Sequence, residues 1–423
     1  MQSLWLRVLC LLWTAAKVCG FHFHRRACVA LHLTDLPKPT VLIAIGHYLP
    51  GVKVGGPLTS VKNIVDNLHP YFDFKILTTN ADFGDSTPYP GIVPNTWLPF
   101  ENCQILYVDF ARQRIPQVWK AIRGTTADVL YLNPLLDPVF SGSIVLLKRL
   151  GFLNKTQVVV CPRGELFDEA LAFKSTKKRC FLFVAKMIGL YRNVRLHATN
   201  EKEFQCIVER LSVRPEQVRL AHIISRHETT ADTNVHTNFS SEAGSIKIVF
   251  MARISKDKNL EFVFDVFDRV AKDVSVDFDI FGPVEDEYIW KSCQERMKRL
   301  PPNIRVQYKG IVEKKYARQK LAEYDLFFMP TFAENYGHAI AESLSMGTPV
   351  LISDNTPWRN LVELGLGWDI NLSAVGEFVS AIEAVAATPK SERANKRVQI
   401  QDKMISILND PKIVDENISL FRF

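Results

Sequence analysis

The sequence predicts an α/β protein with two Rossmann-like, doubly wound domains that face each other across a central cleft. Three observations support this prediction. The chain has 423 residues, about the length of two ordinary domains. Apolar strand-like runs alternate with helical patterns, which favours parallel sheets covered on both faces. The alternation stops once, at a polar stretch over 226–244, and then begins again.

The first domain is predicted to span residues 39–225. A continuous apolar run at 41–45 is typical of a buried strand, and a glycine-rich loop and a helical pattern follow it. Further strands are predicted at 74–78, 129–133 and 158–161, with a helix near 144–150. Residues 1–38 form an N-terminal extension before this domain.

The second domain is predicted to span residues 245–423, after a linker at 226–244. Its strands are predicted at 246–251, 276–281, 304–308, 326–329 and 349–352, and its first helices at 260–271 and 290–300. The C-terminal helices are expected to pack back on the first domain. Ligands of doubly wound sheets bind at the carboxyl ends of the strands, so a ligand crevice is expected between the domains.

The net charge indicates which kinds of partner the protein could bind, and the cysteine content indicates the state of its thiols. The net charge of +7 favours anionic partners without choosing among them. Zinc-finger spacings and arginine-rich tracts are absent from the sequence, so nucleic acid is not a predicted partner. The eight cysteines form no C-x-x-C pair, so we expect reduced, mostly buried thiols, as in a cytosolic protein.

The stretch 326–350 carries the clearest chemical signal. An apolar strand runs into a short loop, and a helix is predicted to begin near Gly337 and to end at Gly347. The N-terminus of such a helix presents free N–H groups and a positive dipole end, which suit a diphosphate. Glu334 before the helix and Glu342 within it are placed to accept hydrogen bonds from hydroxyl groups. A solvated Glu342 on an amphipathic helix is the alternative.

A cationic loop follows the first strand of the second domain. It contains Arg253 and Lys258, and Ser255 or Asp257 is expected to cap the next helix. Two solvated surface cations are the alternative interpretation.

The spacing of Glu334 and Glu342 is an E-x7-E pattern, and G-T-P-V follows at 347–350. With these motifs the chain resembles the group 1 glycosyl transferases, the large retaining family numbered four, which has the GT-B fold. The resemblance runs from about residue 39 to near the C-terminus and is strongest over 249–357. It implies that Glu334 contacts the donor sugar, that Glu342 contacts the ribose, and that Arg253 and Lys258 neutralise the pyrophosphate.

The resemblance further implies that a hexose-type sugar passes from a nucleotide-sugar to a glycan or lipid-linked acceptor, in polysaccharide or glycoconjugate biosynthesis. Fixed cations would stabilise the charge that gathers on the departing diphosphate. Further residues expected to contact the donor are Asn335, Tyr336, His338, Gly282, Gly55 and Gly56. A plain tight turn is the alternative for Gly55 and Gly56.

Two other cofactor classes are not predicted. The glycine-rich loop is not G-x-G-x-x-G, which argues against a dinucleotide oxidoreductase. Asp277 and Asp279 spell D-x-D within an alternating strand, where we expect them to face outward. We therefore expect no obligatory metal or cofactor besides the donor substrate.

The acceptor side of the cleft is predicted from P-R-G-E at 162–165. Many family members have a histidine there, whereas a subgroup resembles this chain, with K-x-G-G-P at 53–57 and D-F-G-D at 82–85. Glu165 is expected to orient an acceptor hydroxyl, Arg163 to contact phosphate, and Lys53 to lie on the same side. A structural Arg163–Glu165 pair is an equal alternative. Thr199 is expected to cap the helix that follows it.

Membrane contact is left open by two segments. Residues 4–16 form an apolar run broken by Arg7, too short and interrupted for a spanning helix. A signal or anchor, an upstream start codon and a membrane-surface helix stay open, although a cleaved signal would separate the enzyme from a cytosolic donor. The basic segment from Lys174 to Arg192 predicts docking to a membrane surface or to a polyprenyl-phosphate acceptor. A solvated basic face over an ordinary core helix is the alternative. We expect a cytoplasmic protein, peripheral if it meets the membrane.

Two alternative functions remain. A catalytically inactive binding or scaffold protein would keep the fold, although Arg253, Lys258, Glu334 and Glu342 are all present. A GT-B-like sugar-nucleotide epimerase would release a different product. Donor hydrolysis, and product analysis with and without an acceptor, separate the three classes.

Overall fold

Two separate sheets, one of them parallel and the other parallel except at one edge strand, organise the computed structural model. The structure describes residues 37–53, 55–172, 175–225 and 243–423. Residues 40–423 form one compact unit. Residues 1–36 of the predicted N-terminal extension lie outside the described residues, and so do residues 226–242 of the predicted linker.

The first sheet has eight strands in the order β3-β4-β2-β1-β5-β6-β7-β8. All its pairings are parallel except that of β3 with β4, which is antiparallel. The strands are β1 (Thr40–Ile45), β2 (Asp73–Thr79), β3 (Trp97–Phe100), β4 (Cys103–Val108), β5 (Val129–Asn133), β6 (Gln157–Val160), β7 (Arg195–Ala198) and β8 (Val218–Leu220). The sequence patterns miss β3, β4, β7 and β8, since short apolar runs do not separate strand from buried helix.

Helices cover both faces of this sheet, as parallel strands require. They are α1 (Gly56–Leu68), α2 (Arg114–Arg123), α3 (Ser143–Arg149), α4 (Asp168–Ala172), α5 (Ser175–Met187) and α6 (Glu201–Leu211). Central strands such as β1 and β5 are almost fully buried, because side chains on both faces pack under helices.

The second sheet has six strands in the order β11-β10-β9-β12-β13-β14, all paired in parallel. The strands are β9 (Ser245–Met251), β10 (Ser275–Phe281), β11 (Ile304–Gly310), β12 (Leu326–Met329), β13 (Val350–Ser353) and β14 (Gly367–Ile370). Its helices are α7 (Leu260–Phe267), α8 (Glu287–Met297), α9 (Lys314–Leu321), α10 (His338–Ser345), α11 (Val375–Ala387), α12 (Lys390–Leu408) and α13 (Pro411–Phe421). Two parallel, helix-covered sheets confirm the predicted fold class.

The last helix, α13, returns to the first sheet. The ring of Phe421 lies 5.6 Å from that of Phe72, 6.4 Å from that of Phe74 and 5.2 Å from that of Tyr131, between centroids. All four side chains are buried. The C-terminus therefore belongs to the core on one face of the first sheet, beside α1.

The described cysteines are all free, but they are less buried than expected. Cys161 and Cys293 are buried, Cys103 and Cys206 are half-buried, and Cys180 is exposed. Among the described residues, no helix combines the length and apolar character needed to cross a membrane.

Candidate functional site

The helix N-terminus that was predicted to bind a diphosphate is that of α10, which begins after Gly337. Gly337 has a φ of 81°, and a Cβ there would lie 2.7 Å from Ile340 Cδ1 and 3.2 Å from Glu334 Cγ. Only glycine fits this left-handed, crowded position without strain. Among the described residues, no side chain caps the first turn of α10, which suits its N–H groups to an anion. The helix ends at Ser345, and Gly347 follows with a φ of 76°.

A mostly buried ion pair lies beside the N-terminus of α10. Lys258 Nζ is 2.7 Å from Glu334 Oε2 and 3.3 Å from Asp257 Oδ2. Burial by itself would lower the pKa of Lys258, but the carboxylates of Glu334 and Asp257 outweigh it and raise that pKa. Lys258 therefore keeps its positive charge at neutral pH.

The second predicted cation, Arg253, is half-exposed and held by two carboxylates. It forms an ion pair with Glu285, and its Nη2 lies 3.8 Å from Asp257 Oδ2. Asp257 thus contacts both cations. Burial opposes ionisation of Asp257, but Lys258, the Ser255 hydroxyl and Arg253 together lower its pKa. The sequence analysis missed Asp257 and Glu285 as partners of the cations.

The predicted cap of the helix after this loop was wrong. Neither Ser255 nor Asp257 caps α7, because Asn259, with a φ of 54°, is the N-cap residue. The Ser255 hydroxyl donates to the Asp257 carboxylate, 2.6 Å away, and the Asn259 amide donates to the Pro330 carbonyl at 3.0 Å. These side chains fasten the cationic loop instead of capping the helix.

Backbone contacts join the cationic loop to the loop before α10. The N–H of Phe332 and the hydroxyl of Thr331 both donate to the Asp257 carbonyl, each at 2.8 Å. The N–H of Glu334 donates to the Asn355 carbonyl at 3.2 Å. Lys258 and Glu334 therefore meet because two loops, more than seventy residues apart in the chain, are hydrogen-bonded to each other.

Gly282 follows β10 and lies against the cationic loop. Its φ is 139°, and a Cβ there would lie 1.9 Å from the Ala252 carbonyl oxygen. The glycine therefore allows the ends of β9 and β10 to approach each other just before Arg253. Its contact with a donor stays a prediction.

Glu342 is half-buried on α10 rather than fully solvated. Desolvation lowers the pKa of Lys314, at the start of α9, and the Glu342 carboxylate partly offsets this effect. Lys314 Nζ donates to Thr59 Oγ1 on α1 at 2.5 Å. The second predicted glutamate therefore lies close to the contact between the two sheets' helices.

Asn335 is hydrogen-bonded to residues that follow β7 of the first sheet. Its Oδ1 accepts from Asn200 Nδ2 at 3.2 Å and lies 3.2 Å from Thr199 Oγ1, and its carbonyl accepts from Asn200 Nδ2 at 2.9 Å. A Cβ at Gly164 would lie 3.0 Å from Asn335 Cβ. Asn335 thus bridges the two halves of the chain.

Tyr336 and His338 make similar bridges. The Tyr336 hydroxyl is hydrogen-bonded to the Ser225 hydroxyl, and His338 Nε2 lies 3.0 Å from Ser60 Oγ on α1. Desolvation, with the nearby charges of Lys314 and Arg163, lowers the pKa of His338 to about 3. A neutral imidazole therefore stands at the start of α10.

Gly55 and Gly56 face the same point from the first domain. Gly55 has a φ of 72° and open space where a Cβ would be, and a Cβ at Gly56 would lie 3.6 Å from His338 Cδ2. The N-terminus of α1, at these glycines, and that of α10 therefore approach each other. Their predicted contact with phosphate or acceptor stays untested.

Arg163 is fixed by a buried relay behind the P-R-G-E loop. It has a φ of 56°, and its Nε and Nη2 donate to Asn133 Oδ1 and to the Tyr131 hydroxyl, each at 3.0 Å. Tyr131 is 2.7 Å from His197 Nδ1, and His197 Nε2 lies 2.8 Å from the Ala221 carbonyl. A carbonyl can only accept, so Nε2 carries the proton and the tyrosine donates to Nδ1. Burial lowers the pKa of His197 to about 3, which keeps the ring neutral.

Glu165 does not pair with Arg163, so the alternative of a structural Arg163–Glu165 pair was wrong. Glu165 Oε2 instead accepts from the Leu136 N–H at 2.7 Å. Burial raises the pKa of Glu165 to about 7, with the Lys178 charge opposing and the Asp137 charge adding to this shift. Its carboxyl group is therefore divided between its two protonation states near neutral pH.

Glu203 is a buried carboxylate that the sequence analysis missed. It accepts from the Gly164 N–H at 2.6 Å, from the Thr199 N–H at 2.8 Å and from the Thr199 hydroxyl at 2.6 Å. Thr199 is therefore not the cap of α6; Asn200 is, with its side chain accepting from the Glu203 N–H. The N-x-x-E spacing of a capping box was the available signal.

Lys53 is exposed and forms an ion pair with Asp85. In the same segment, Asp82 Oδ2 accepts from the Val52 N–H at 2.8 Å and from the Lys53 N–H at 3.3 Å. The D-F-G-D segment therefore holds the loop of the K-x-G-G-P motif.

The D-x-D aspartates lie on the outer side of β10, as expected, opposite the buried Val276, Phe278 and Ile280, and each is partly exposed. Asp277 is hydrogen-bonded to both Nε and Nη2 of Arg305, at 2.7 and 2.8 Å, and Asp279 accepts from the Tyr324 hydroxyl at 2.7 Å. Neighbouring strands and loops therefore engage both carboxylates. The expectation of no obligatory metal stays a prediction.

Comparisons with known proteins identify the class to which this arrangement belongs. Residues 245–387 match the model of the family described as glycosyl transferases group 1. That range contains both cations, both glutamates and α10. The second domain is a group 1 glycosyl transferase domain, and the chain has the GT-B fold.

Solved structures with this fold cover nearly the whole chain. Sucrose-phosphate synthase from Thermosynechococcus elongatus is 18% identical with a TM-score of 0.68, over 91% of this chain and 98% of that one. HepE from Anabaena is 14% identical with a TM-score of 0.61, over 90% of this chain and 98% of that one. An uncharacterized 41.2 kDa protein in the cps region of Klebsiella pneumoniae is 20% identical over 270 residues, 63% of this chain and 71% of the relative.

Proposed function

We propose that the protein is a retaining glycosyltransferase that moves a hexose-type sugar from a nucleotide-sugar to a glycan or lipid-linked acceptor. The observation that carries this proposal is the Lys258–Glu334 pair, 2.7 Å apart at the uncapped N-terminus of α10. HepE has been crystallised with UDP-glucose, and TarM of S. aureus, 12% identical with a TM-score of 0.63 over 91% of this chain, with UDP and alpha-GlcNAc-glycerol. A donor of that chemical class suits the charges on this side of the cleft.

The donor diphosphate would lie against the free N–H groups of α10. Arg253 and Lys258 would neutralise it, and their positive charge would stabilise the leaving group as negative charge gathers there. Glu334 would accept hydrogen bonds from the sugar and Glu342 from the ribose. These groups supply the neutralising charge from protein atoms, so the proposal needs no metal and no further cofactor.

Retention of the anomeric configuration follows from the family resemblance. In that mechanism, an oxygen of the leaving diphosphate removes the proton from the acceptor hydroxyl on the same face of the sugar. Lys258 and Arg253 would then tune the basicity of that oxygen through their charge. We accordingly assign no side-chain nucleophile.

The acceptor would enter between the P-R-G-E loop and the loop that contains Lys53. The ionised fraction of Glu165, whose pKa is about 7, would accept a hydrogen bond from the acceptor hydroxyl. Arg163 has five N–H donors and uses two for Asn133 and Tyr131, so the others are available to an acceptor phosphate. Its rigid relay would hold the guanidinium in one orientation.

A panel of nucleotide-sugars tested by thermal shift would identify the donor first. Incubation with that donor and a candidate acceptor, followed by NMR of the product, would report transfer and the anomeric configuration. An inactive binding protein would be stabilised by the donor but would release no nucleoside diphosphate. An epimerase would change the sugar in the absence of an acceptor, and an inverted product would refute the retaining assignment.

A further inference from the structure

We propose that one face of the first domain, formed by α5, the end of α3 and the loop after α3, docks on an anionic membrane surface. Large apolar side chains stand exposed there. Leu150 is 60% exposed, Phe152 65%, Phe183 64% and Met187 70%. We call this surface the basic apolar face, defined by these four residues and the cations around them.

The two segments of the basic apolar face are neighbours in the fold. Arg149 Nε, at the end of α3, donates to the Ile188 carbonyl, just after α5, at 3.2 Å. On α5 the exposed Phe183 and Met187 are spaced i, i+4, whereas Leu182 and Ala185 are buried in the core. The apolar stripe therefore lies on the outer side of the helix, next to the loop that carries Phe152.

The two segments that form this face carry only positive charge, although the exposed Asp168 on α4, which pairs with Arg210, is close enough to Arg179 for both cations to lower the pKa of its carboxyl group. Residues 143–157 and 175–194 contain no aspartate or glutamate, although the chain has 45 acidic residues against 52 lysines and arginines. The exposed cations in these ranges are Arg149, Lys155, Lys177, Arg179, Lys186 and Arg192. Lys148 and Lys178 are engaged inward, with backbone carbonyls at 3.0 Å or less. Lys174 of the same basic segment lies outside the described residues.

Exposed apolar tips within a positive surface fit an anionic lipid bilayer better than other partners. Phenylalanine, leucine and methionine side chains can enter the boundary between headgroups and acyl chains, while lysines and arginines reach the lipid phosphates. A nucleic acid would use the cations but leave Leu150 and Met187 exposed to water. Isolated apolar residues need no explanation, but four on two neighbouring segments that contain cations and no acidic residue indicate a binding site.

Sedimentation of the full-length protein with vesicles tests the proposal. We expect the protein to bind phosphatidylcholine vesicles containing about 30 mol% phosphatidylglycerol and to bind pure phosphatidylcholine vesicles at least about tenfold more weakly. The double variant Phe183→Glu/Met187→Glu should bind the anionic vesicles about tenfold more weakly than the wild type. The control is Tyr288→Glu, which changes an 81% exposed side chain on α8 of the second domain and should leave binding unchanged.

A second pair of variants isolates the charge contribution. Lys186→Glu/Arg192→Glu should weaken vesicle binding, whereas Lys291→Glu on the exposed surface of α8 should not. Raising the salt from about 0.1 to about 0.5 M should weaken wild-type binding, because salt screens the attraction to the lipid phosphates. All these variants keep residues 1–36 unchanged, so a difference between them reports on the basic apolar face.

Wild-type binding by the Phe183→Glu/Met187→Glu variant would overturn the proposal, because another part of the chain would then hold the vesicle. The proposal would also be overturned if the wild-type protein did not bind anionic vesicles. Self-association of the wild-type protein through the basic apolar face, in place of vesicle binding, would overturn it as well. Hydrolysis of a nucleotide-sugar in solution should be the same in all variants, since none alters the cleft. Failure of membrane docking would thus leave the proposed transfer reaction untouched.

Discussion

Asn200, which caps α6 in the first domain, donates its side-chain amide to the carbonyl of Asn335, 2.9 Å away at the entrance to α10. The loop that leads to the proposed donor site is therefore held by the opposite half of the cleft. We therefore predict that donor binding and the approach of the two domains are coupled through this contact.

The first prediction concerns that bridge. Asn335→Ala removes the Oδ1 that accepts from Asn200 and contacts the Thr199 hydroxyl, so the loop before α10 should lose part of its support. We expect the KM for the donor to rise about tenfold with a smaller change in kcat. Steady-state kinetics with the donor found by thermal shift would measure this. Asn154→Ala, at an exposed loop position, is the control, and equal kinetics in both variants would contradict the coupling.

The second prediction concerns the ion pair that carries the proposed function. Lys258→Ala and Glu334→Ala should each lower kcat by at least about a hundredfold, because the charge that stabilises the leaving diphosphate is lost or misplaced. Lys256→Ala removes an exposed lysine from the same loop and should be nearly neutral. Circular dichroism should show folded protein in all three. Wild-type turnover in Lys258→Ala would remove Lys258 from the site.

The third prediction concerns Gly337, whose φ of 81° and crowded surroundings exclude a side chain. Gly337→Ala should destabilise the protein by about 1–3 kcal/mol, as measured by urea unfolding. Gly376→Ala is the matched control, since its Cβ would meet nothing within 4 Å and it lies near the start of α11. The control should be neutral or slightly stabilising. Equal stability of the two variants would mean that the loop before α10 relaxes freely.

The fourth prediction concerns the pH dependence that Glu165 imposes. Its pKa is raised from 4.5 to about 7, so the folded protein binds this proton more tightly than the unfolded chain. Its contribution to stability is present below pH 4.5 and is lost as the pH rises towards 7 and above. Glu165→Gln keeps an acceptor for the Leu136 N–H and should be more stable than the wild type at pH 8, by on the order of 1–3 kcal/mol.

Urea unfolding at pH 5 and pH 8 measures this difference. Glu209→Gln, at an exposed position of α6, should leave the difference between the two pH values as in the wild type. If Glu165 orients the acceptor, Glu165→Gln should also remove a limb near pH 7 from the profile of kcat/KM for the acceptor. The same pH profile of stability in Glu165→Gln and wild type would refute the raised pKa.

The fifth prediction concerns the relay behind Arg163. Tyr131→Phe removes the hydroxyl between Arg163 and His197 and leaves buried polar groups unpaired, which should cost about 1–3 kcal/mol of stability. The freed guanidinium should raise the KM for the acceptor more than the KM for the donor. Tyr288→Phe, at an exposed site, should change neither quantity. A larger effect on the donor would place Arg163 on the other side of the cleft.

Local patterns in the sequence were sufficient for the parts of the molecule that depend on local interactions. Apolar runs predicted the buried strands β1, β9 and β12, because side chains in a covered parallel sheet are apolar on both faces. Gly337 and Gly347 predicted where α10 begins and ends, and both have a positive φ in the structure. The alternation of strands and helices was enough to predict the fold class.

The partners of the predicted site residues came only from the folded chain. Asp257 and Glu285 hold the cations, Glu203 holds the P-R-G-E loop, and Asn335 bridges the two halves. Most of these contacts join residues far apart in the chain, and burial then selects among them by the cost of an unpaired polar group. Periodicity and spacing report the neighbours along one helix or strand, so they contain no record of which distant side chain will satisfy a given charge.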